Sequence, residues 1–374
     1  MRRGLTERFL RDDVAPAVVP WLVARALVLA AYALARYLFD HIGSGRRPDP
    51  LQFGLFAADG AFYRDIAQHG YDAVGRAGLR FFPLLPIAAR GLGRVPFGRE
   101  DIALLLIANV SALVFAALLH RLVMRETGDR ELARRCVWWG ALLPPAMVLV
   151  LGYAEALLLV LAVGVFLALR SGRWGWAIVL GVLAGLCRPV GILLTVPVLI
   201  EVARGWRDAP GRDRIARALA VLAPGGGTAI FLAWVGATRD DWYLPFRVQQ
   251  NPTLRGGFRD PVSSLVAAAG DLGGGDRLGS GLHLVWAVLF VALIVAVARR
   301  LPASYAAYAI AAVLLALSAS NLDSFERYGV ATFPIVVGAA LVTARREVES
   351  AALALACGAM VGYATLVFLD LYVP

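Results

Sequence analysis

The feature that most constrains this chain is a series of long apolar segments separated by short polar ones. Ala17 to Phe39 and Ile102 to Val123 each reach the roughly 20 residues that cross a bilayer core as a helix. Comparable or shorter stretches follow at Val137 to Leu151, Ala154 to Leu169, Trp174 to Cys187, Val190 to Val202, Ile215 to Ala237, Leu282 to Ala298, Ala303 to Ser320, Val330 to Ala344 and Ala351 to Leu371. In lipid, backbone polar groups must be satisfied within the segment, and helices do that. The pattern predicts an all-α polytopic transmembrane helix bundle of about eleven helices, a single integral membrane domain over residues 1–374. The 59% hydrophobic content exceeds the roughly half of a soluble domain, so lipid is the solvent to reason about.

Several stretches depart from a simple span. Phe81 to Leu92 is short, carries Pro83 and Pro86, and reads as re-entrant or interfacial. Trp174 to Cys187 and Val190 to Val202 form a short pair broken at Arg188-Pro189. Met1 to Pro16 is polar before a long apolar run with no small-residue cleavage site, so it reads as the approach to a retained first helix. Cys136, Cys187 and Cys357 form no metal or disulfide pattern.

The formal net charge is +10, and every one of the 37 basic residues is Arg. In a membrane protein such residues gather in cytoplasmic loops, so the charge is no sign of nucleic acid, and no nucleic-acid partner is expected. Arg2, Arg3, Arg8 and Arg11 precede the first span. If that end is cytoplasmic, alternation puts Arg121 to Arg135, Arg170 to Arg173, Arg204 to Arg217, Arg299-Arg300 and Arg345-Arg346 on the same side. The expected topology is a multi-pass cell-membrane protein, N-terminus in and C-terminus out. The external face then receives residues 40–80, Tyr153 to Glu155, Arg188, a second long loop at 238–281 marked by Gly273-Gly274-Gly275, and Asn321 to Arg327.

The first external loop holds a short helix pattern. Phe62, Tyr63, Ile66 and Ala67 make one apolar face, and Gly70 suits its terminator, as in a helix lying along the membrane surface. Asp59 opens it. Two readings stand: an N-cap, whose carboxylate binds backbone N–H groups and is acidified, or a general base at the bilayer edge, made more basic by burial. Glu155 and Arg188 are costly in lipid and so are functional candidates; an exposed helix-start acid and an internal ion pair are the plainer explanations. Arg327 has the fork geometry for a phosphate, although Glu326 and Arg327 also suit a solvated loop. Arg25 and Arg36, inside the first span, read as snorkelling anchors. No phosphate-binding nucleotide loop, HExxH or soluble dinucleotide fold is present, which favours a lipid-linked substrate.

Three sets of residues together resemble a known family. The first is Asp59-Gly60-Ala61-Phe62-Tyr63, Ile66-Ala67, Gly70-Tyr71 and Phe81-Phe82-Pro83-Leu84-Leu85-Pro86. The others are Tyr153-Ala154-Glu155-Ala156 with Arg188-Pro189-Val190-Gly191, and Arg327-Tyr328 with Phe333-Pro334. In this order they resemble the PIG-V family of mannosyltransferases, with Ala58 where an aromatic residue often stands. The resemblance implies a GT-C-type integral membrane glycosyltransferase that moves mannose from a polyprenyl-phosphate-mannose donor to a glycolipid or glycan acceptor on the external face. It implies Asp59 as general base. Arg80, Arg188, Arg327 and Tyr328 are then expected around the donor phosphate, with Glu155, Tyr63, His69 and Tyr71 in support. A phosphate leaving group met by several guanidinia needs no divalent metal, and no cofactor is expected. The alternative function for such a bundle is a polyprenyl-lipid transporter or flippase, with a structural subunit as a third reading.

Overall fold

The computed structural model describes residue 7 and residues 9–94, 98–273 and 281–373. Arg2, Arg3 and Arg8 of the basic approach, and Gly274-Gly275 of the glycine run, lie outside the described residues. Among the described residues the regular structure is entirely helical. In chain order the longer helices are α1 (Ala15–Ile42), α2 (Asp59–His69), α3 (Leu84–Arg94), α4 (Glu100–Thr127), α5 (Arg130–Leu142), α6 (Glu155–Arg170), α7 (Trp174–Cys187) and α8 (Thr195–Arg204). They continue with α9 (Gly211–Arg239), α10 (Pro261–Gly273), α11 (Gly281–Arg300), α12 (Ala303–Leu317), α13 (Phe325–Val330), α14 (Phe333–Val342) and α15 (Arg346–Phe368).

Among the described residues five helices are long and apolar enough to cross a membrane, namely Leu10–Ile42, Glu100–Thr127, Gly211–Arg239, Leu282–Arg300 and Arg346–Phe368. Ile215, Leu219 and Leu222 of α9 form a stripe at helical spacing that is 66%, 50% and 67% exposed. In water that stripe would be a liability, whereas in hydrocarbon it is simply the outer wall. The protein is a membrane protein. Several of the eleven expected spans are shorter than the bilayer is thick. The stretch at 137–151 is the end of α5 plus a 3₁₀ turn, Pro144–Leu149, and that at 190–202 is a 3₁₀ turn, Pro189–Leu194, followed by α8. Proline at the first or second position starts both turns, where its missing N–H costs nothing. Broken backbone of this kind is tolerated where protein, not lipid, surrounds it. The 3₁₀ turn at 144–149 is wholly buried.

Arg25 shows how that burial is made possible. It does not snorkel. Its guanidinium donates to Leu149 O at 3.0 Å, to Asn109 Oδ1 at 3.0 Å and to Trp21 O at 3.1 Å. Asn109 in turn donates to Val150 O at 3.1 Å. Carbonyls freed by the broken helix thus find donors on α1 and α4. Arg36, by contrast, lies exposed beside Asp40.

The polar groups gather at two ends. At one end Arg170 binds Glu126 (2.9 Å) and Glu201 (3.1 Å), Ser304 donates to Glu201 at 2.6 Å, and Arg134 reaches Glu349 at 2.9 Å. There too a π-turn, Leu10–Val14, directs Asp13 inward onto His120 at 3.0 Å. These groups lie in or beside the segments read as cytoplasmic. The opposite end holds α2, residues 152–154, Arg188 and α13. The second long polar segment is more than a loop, since α10 lies within it and packs on α11.

Candidate functional site

The site is built on α2. Its chain enters through Ala58, held at φ 48° and ψ −118°, a positive-φ conformation that an L-residue with a Cβ adopts at a cost of about 1–3 kcal/mol. Asp59 is therefore the first residue of the helix and not its cap; Ala58 takes the cap position and has no side chain able to bond there. The Asp59 N–H donates to the Tyr153 hydroxyl at 3.2 Å. At the other end of α2, Arg90 of α3 donates to Ile66 O at 2.7 Å and to Ala67 O at 2.8 Å. A cation on the last carbonyls stabilises a helix C-terminus, and Gly70, at φ 91°, ends the helix as expected. Tyr63, Ile66 and Ala67 are buried on the inner face.

The Asp59 carboxylate meets a residue 268 positions away. Its Oδ2 accepts from Arg327 Nη1 at 2.6 Å, and its side chain remains 23% exposed. Arg327, on α13, also places Nε 3.3 Å from Glu155 Oε1. Arg188, the residue between α7 and its following 3₁₀ turn, pairs with the same Glu155 oxygen. Glu155 begins α6 and is 0% exposed, so it is no interfacial acid. Its Oε1 meets both guanidinia at ion-pair range without the angles of full hydrogen bonds. The Tyr153 ring lies under the Arg327 guanidinium at 5.5 Å.

Arg80 completes the cluster. It sits over the stacked rings of Phe81 and Phe62, at 4.9 and 5.6 Å, with Nε donating to Ala77 O. Its charge acts on Asp59. Burial pushes the Asp59 carboxyl up, but Arg327 and Arg80, with a smaller contribution from Arg188, outweigh it and leave its pKa below the ordinary value. The depression expected of a cap is present, with an ion pair as its cause. Among the described residues the cluster sets two carboxylates, Asp59 and Glu155, against three guanidinia, Arg80, Arg188 and Arg327. Three against two leaves one positive charge over, a centre suited to an anion.

The remaining expected residues divide. Tyr63 is buried within electrostatic reach of Arg188, Glu155 and Asp59. Tyr328 is half-buried beneath Arg255, whose guanidinium lies 4.8 Å from its ring. His69 is exposed at the last position of α2, about 15 Å along the axis from Asp59 at 1.5 Å per residue, too far to act there. Tyr71 has a structural position: its hydroxyl donates to Phe81 O at 2.6 Å and its ring packs on Phe231 and Trp234. Arg90, Tyr153 as a hydroxyl partner, and Arg255 were not singled out from the sequence. Only Tyr153, adjacent to Gly152 in a quoted motif, offered a signal; the partners of Arg90 and Arg255 are backbone carbonyls, which leave none.

A scan against protein-family models finds no match, and no curated protein matches in sequence. Among solved structures the chain is similar to ArnT from Cupriavidus metallidurans, in a crystal structure with undecaprenyl phosphate bound. The TM-score is 0.51 at 18% identity, over 91% of this chain and 60% of that one. The likeness is one of fold, and this chain spans about three fifths of that protein's length. The expected all-α helical bundle is the fold the chain has, and it is similar to that of ArnT.

Proposed function

We propose that the protein is a lipid-linked glycosyltransferase that moves mannose from a polyprenyl-phosphate-mannose donor to an acceptor hydroxyl, with the site on the external face of the cell membrane. The observation that carries this reading is the bond between Asp59 and Arg327. It joins a carboxylate at the start of a surface helix to a cation brought from near the far end of the chain. Similarity of fold to a protein whose structure holds a polyprenyl phosphate supports the donor class. The surplus positive charge among Asp59, Glu155, Arg80, Arg188 and Arg327 supports an anionic leaving group.

In this mechanism Asp59 takes the proton of the acceptor hydroxyl as that oxygen attacks the anomeric carbon. The bond from the sugar to phosphate oxygen breaks through an oxocarbenium-like transition state. Negative charge grows on the phosphate and is met by Arg80 and Arg327 through charge-assisted hydrogen bonds. Arg327 then has two competitors for its guanidinium. As phosphate draws it away, Asp59 loses the partner that acidifies it and becomes a stronger base at the step that needs one. Arg188 and Glu155, buried behind, hold Arg327 in place.

The deciding experiment is transfer from radiolabelled polyprenyl-phosphate mannose by purified protein in liposomes, with and without chelator. Transfer by the wild type, unaffected by chelator and reduced about 10²–10⁴-fold in a folded Asp59→Asn variant, is the expected result. Movement of the labelled lipid across the bilayer without transfer would assign the bundle to the flippase class.

A further inference from the structure

Glu326 lies next to Arg327 and is 0% exposed. Adjacent helical residues point roughly 100° apart, so the two face different partners. Arg327 reaches Asp59 and Glu155. Glu326 reaches away from them: His283 Nδ1, in the first turn of α11, lies 2.8 Å from its Oε1, and the Tyr372 hydroxyl donates to its Oε2 at 2.8 Å. His283 is itself buried, at 2% exposure. The Tyr372 ring packs edge-on against Tyr363 at 4.9 Å, and Tyr363 accepts from Trp286 Nε1 at 2.9 Å. Gly329 leaves room for the Phe290 ring of α11 against the same short helix.

From this arrangement we propose that Glu326 is a positioning residue for Arg327, acting through α13 and braced by His283 and Tyr372; the proposal rests on the transferase reading above. A six-residue helix does not hold itself in water. Burying a carboxylate is costly unless it is fully bonded, so an apolar residue would serve a merely packed helix better. Here both oxygens are bonded, one to α11 and one to the segment after α15, which fixes α13 in rotation and along its axis. Arg327 needs that constraint more than most residues. It bridges two acids and must present its guanidinium at a set distance from both Asp59 and the phosphate that competes for it, and a misplacement of about 1 Å can cost on the order of 10²-fold in rate.

Tyr372→Phe removes one bond and leaves the core untouched, whereas Glu326→Ala risks the fold. Two measurements test the brace. Hydrogen exchange over residues 325–330 should be faster in Tyr372→Phe than in the wild type. In the transfer assay, Tyr372→Phe should lower kcat about 5–20-fold at unchanged donor KM, and have no further effect in an Arg327→Lys background, the signature of two groups acting as one unit. Equal losses in both backgrounds, or none in the wild type, would overturn the positioning role. The two readings fail separately: full transfer by Asp59→Asn defeats the transferase mechanism, while the exchange measurement still judges the brace.

Discussion

Asp59 is a carboxylate with one oxygen committed to a guanidinium and part of its surface open. Its pKa lies below the ordinary carboxylate value because Arg327 and Arg80 favour the charged form more than burial disfavours it. The sign follows: the base is ionised throughout the neutral range and is lost only as pH falls through the lowered folded value. The ion pair's contribution to stability is present above the unfolded pKa and disappears over the same acid window. The acidic limb of kcat/KM should therefore lie below about pH 4, the ordinary range for Asp; a limb near pH 6 would show a base raised by burial instead. Arg80 makes a separate prediction. It contacts aromatic rings and one carbonyl but pairs with neither acid of the cluster in the resting protein, so Arg80→Ala should spare folding. Loss of one charge-assisted hydrogen bond of about 1.5–3 kcal/mol predicts a roughly 10–150-fold fall in kcat/KM for the phosphate donor. Kinetics on a folded sample would check it. At this scale the sequence spoke unevenly. Asp59, Glu155, Arg188 and Arg327 stand out because charge in an apolar chain is conspicuous. The burial of Glu326 and the backbone-binding roles of Arg25 and Arg90 depend on partners that no spacing reveals.

Among the elements, α7 and α9 show how packing is achieved without large side chains. Gly181 and Gly185 face Pro224, Gly227 and Thr228, and a Cβ on Gly185 or Gly227 would overlap backbone of the other helix. Small residues spaced four apart let helix backbones touch, which is the main source of association where lipid competes for every apolar side chain. Gly185→Leu should force the helices apart, cost about 1–3 kcal/mol and displace Arg188, which lies one residue past the end of α7. A lowered melting temperature in detergent together with reduced transfer is the expected outcome. The surface helix α2 was legible from end to end, because Asp59, the apolar face and Gly70 are local signals. The helix α10 was not. Its apolar run sits among Gly, Pro and Asp, and what makes it a helix is the α11 surface it covers.

For the whole molecule, the alternation of Arg-rich and Arg-poor segments is matched by a physical separation. The Glu126, Arg170 and Glu201 group lies at one end, and Asp59, Glu155, Arg188 and Arg327 meet at the other. Which end faces the cytosol is a prediction from charge. Single cysteines at Asp72 and at Arg130, both exposed, test it in a background lacking Cys357. An impermeant thiol reagent added outside intact cells should label position 72 and not position 130. The reverse pattern would put the site in the cytosol and remove the external acceptor from consideration.

Hydrophobicity, charge sign and local turn chemistry are properties of short windows. From them follow the membrane class, the helical content, the division of the polar segments into an Arg-rich and an Arg-poor set, and the helix that begins at Asp59. Which of those polar groups touch is a different kind of fact. Asp59 and Arg327 are 268 residues apart, and only the packing of the intervening helices brings them to 2.6 Å. The same packing buries Glu155 and Glu326, carries His69 away from the site, and turns half-length segments into stable interior pieces by supplying donors such as Arg25. Burial and pairing are set by distance in space, which the folded bundle alone decides.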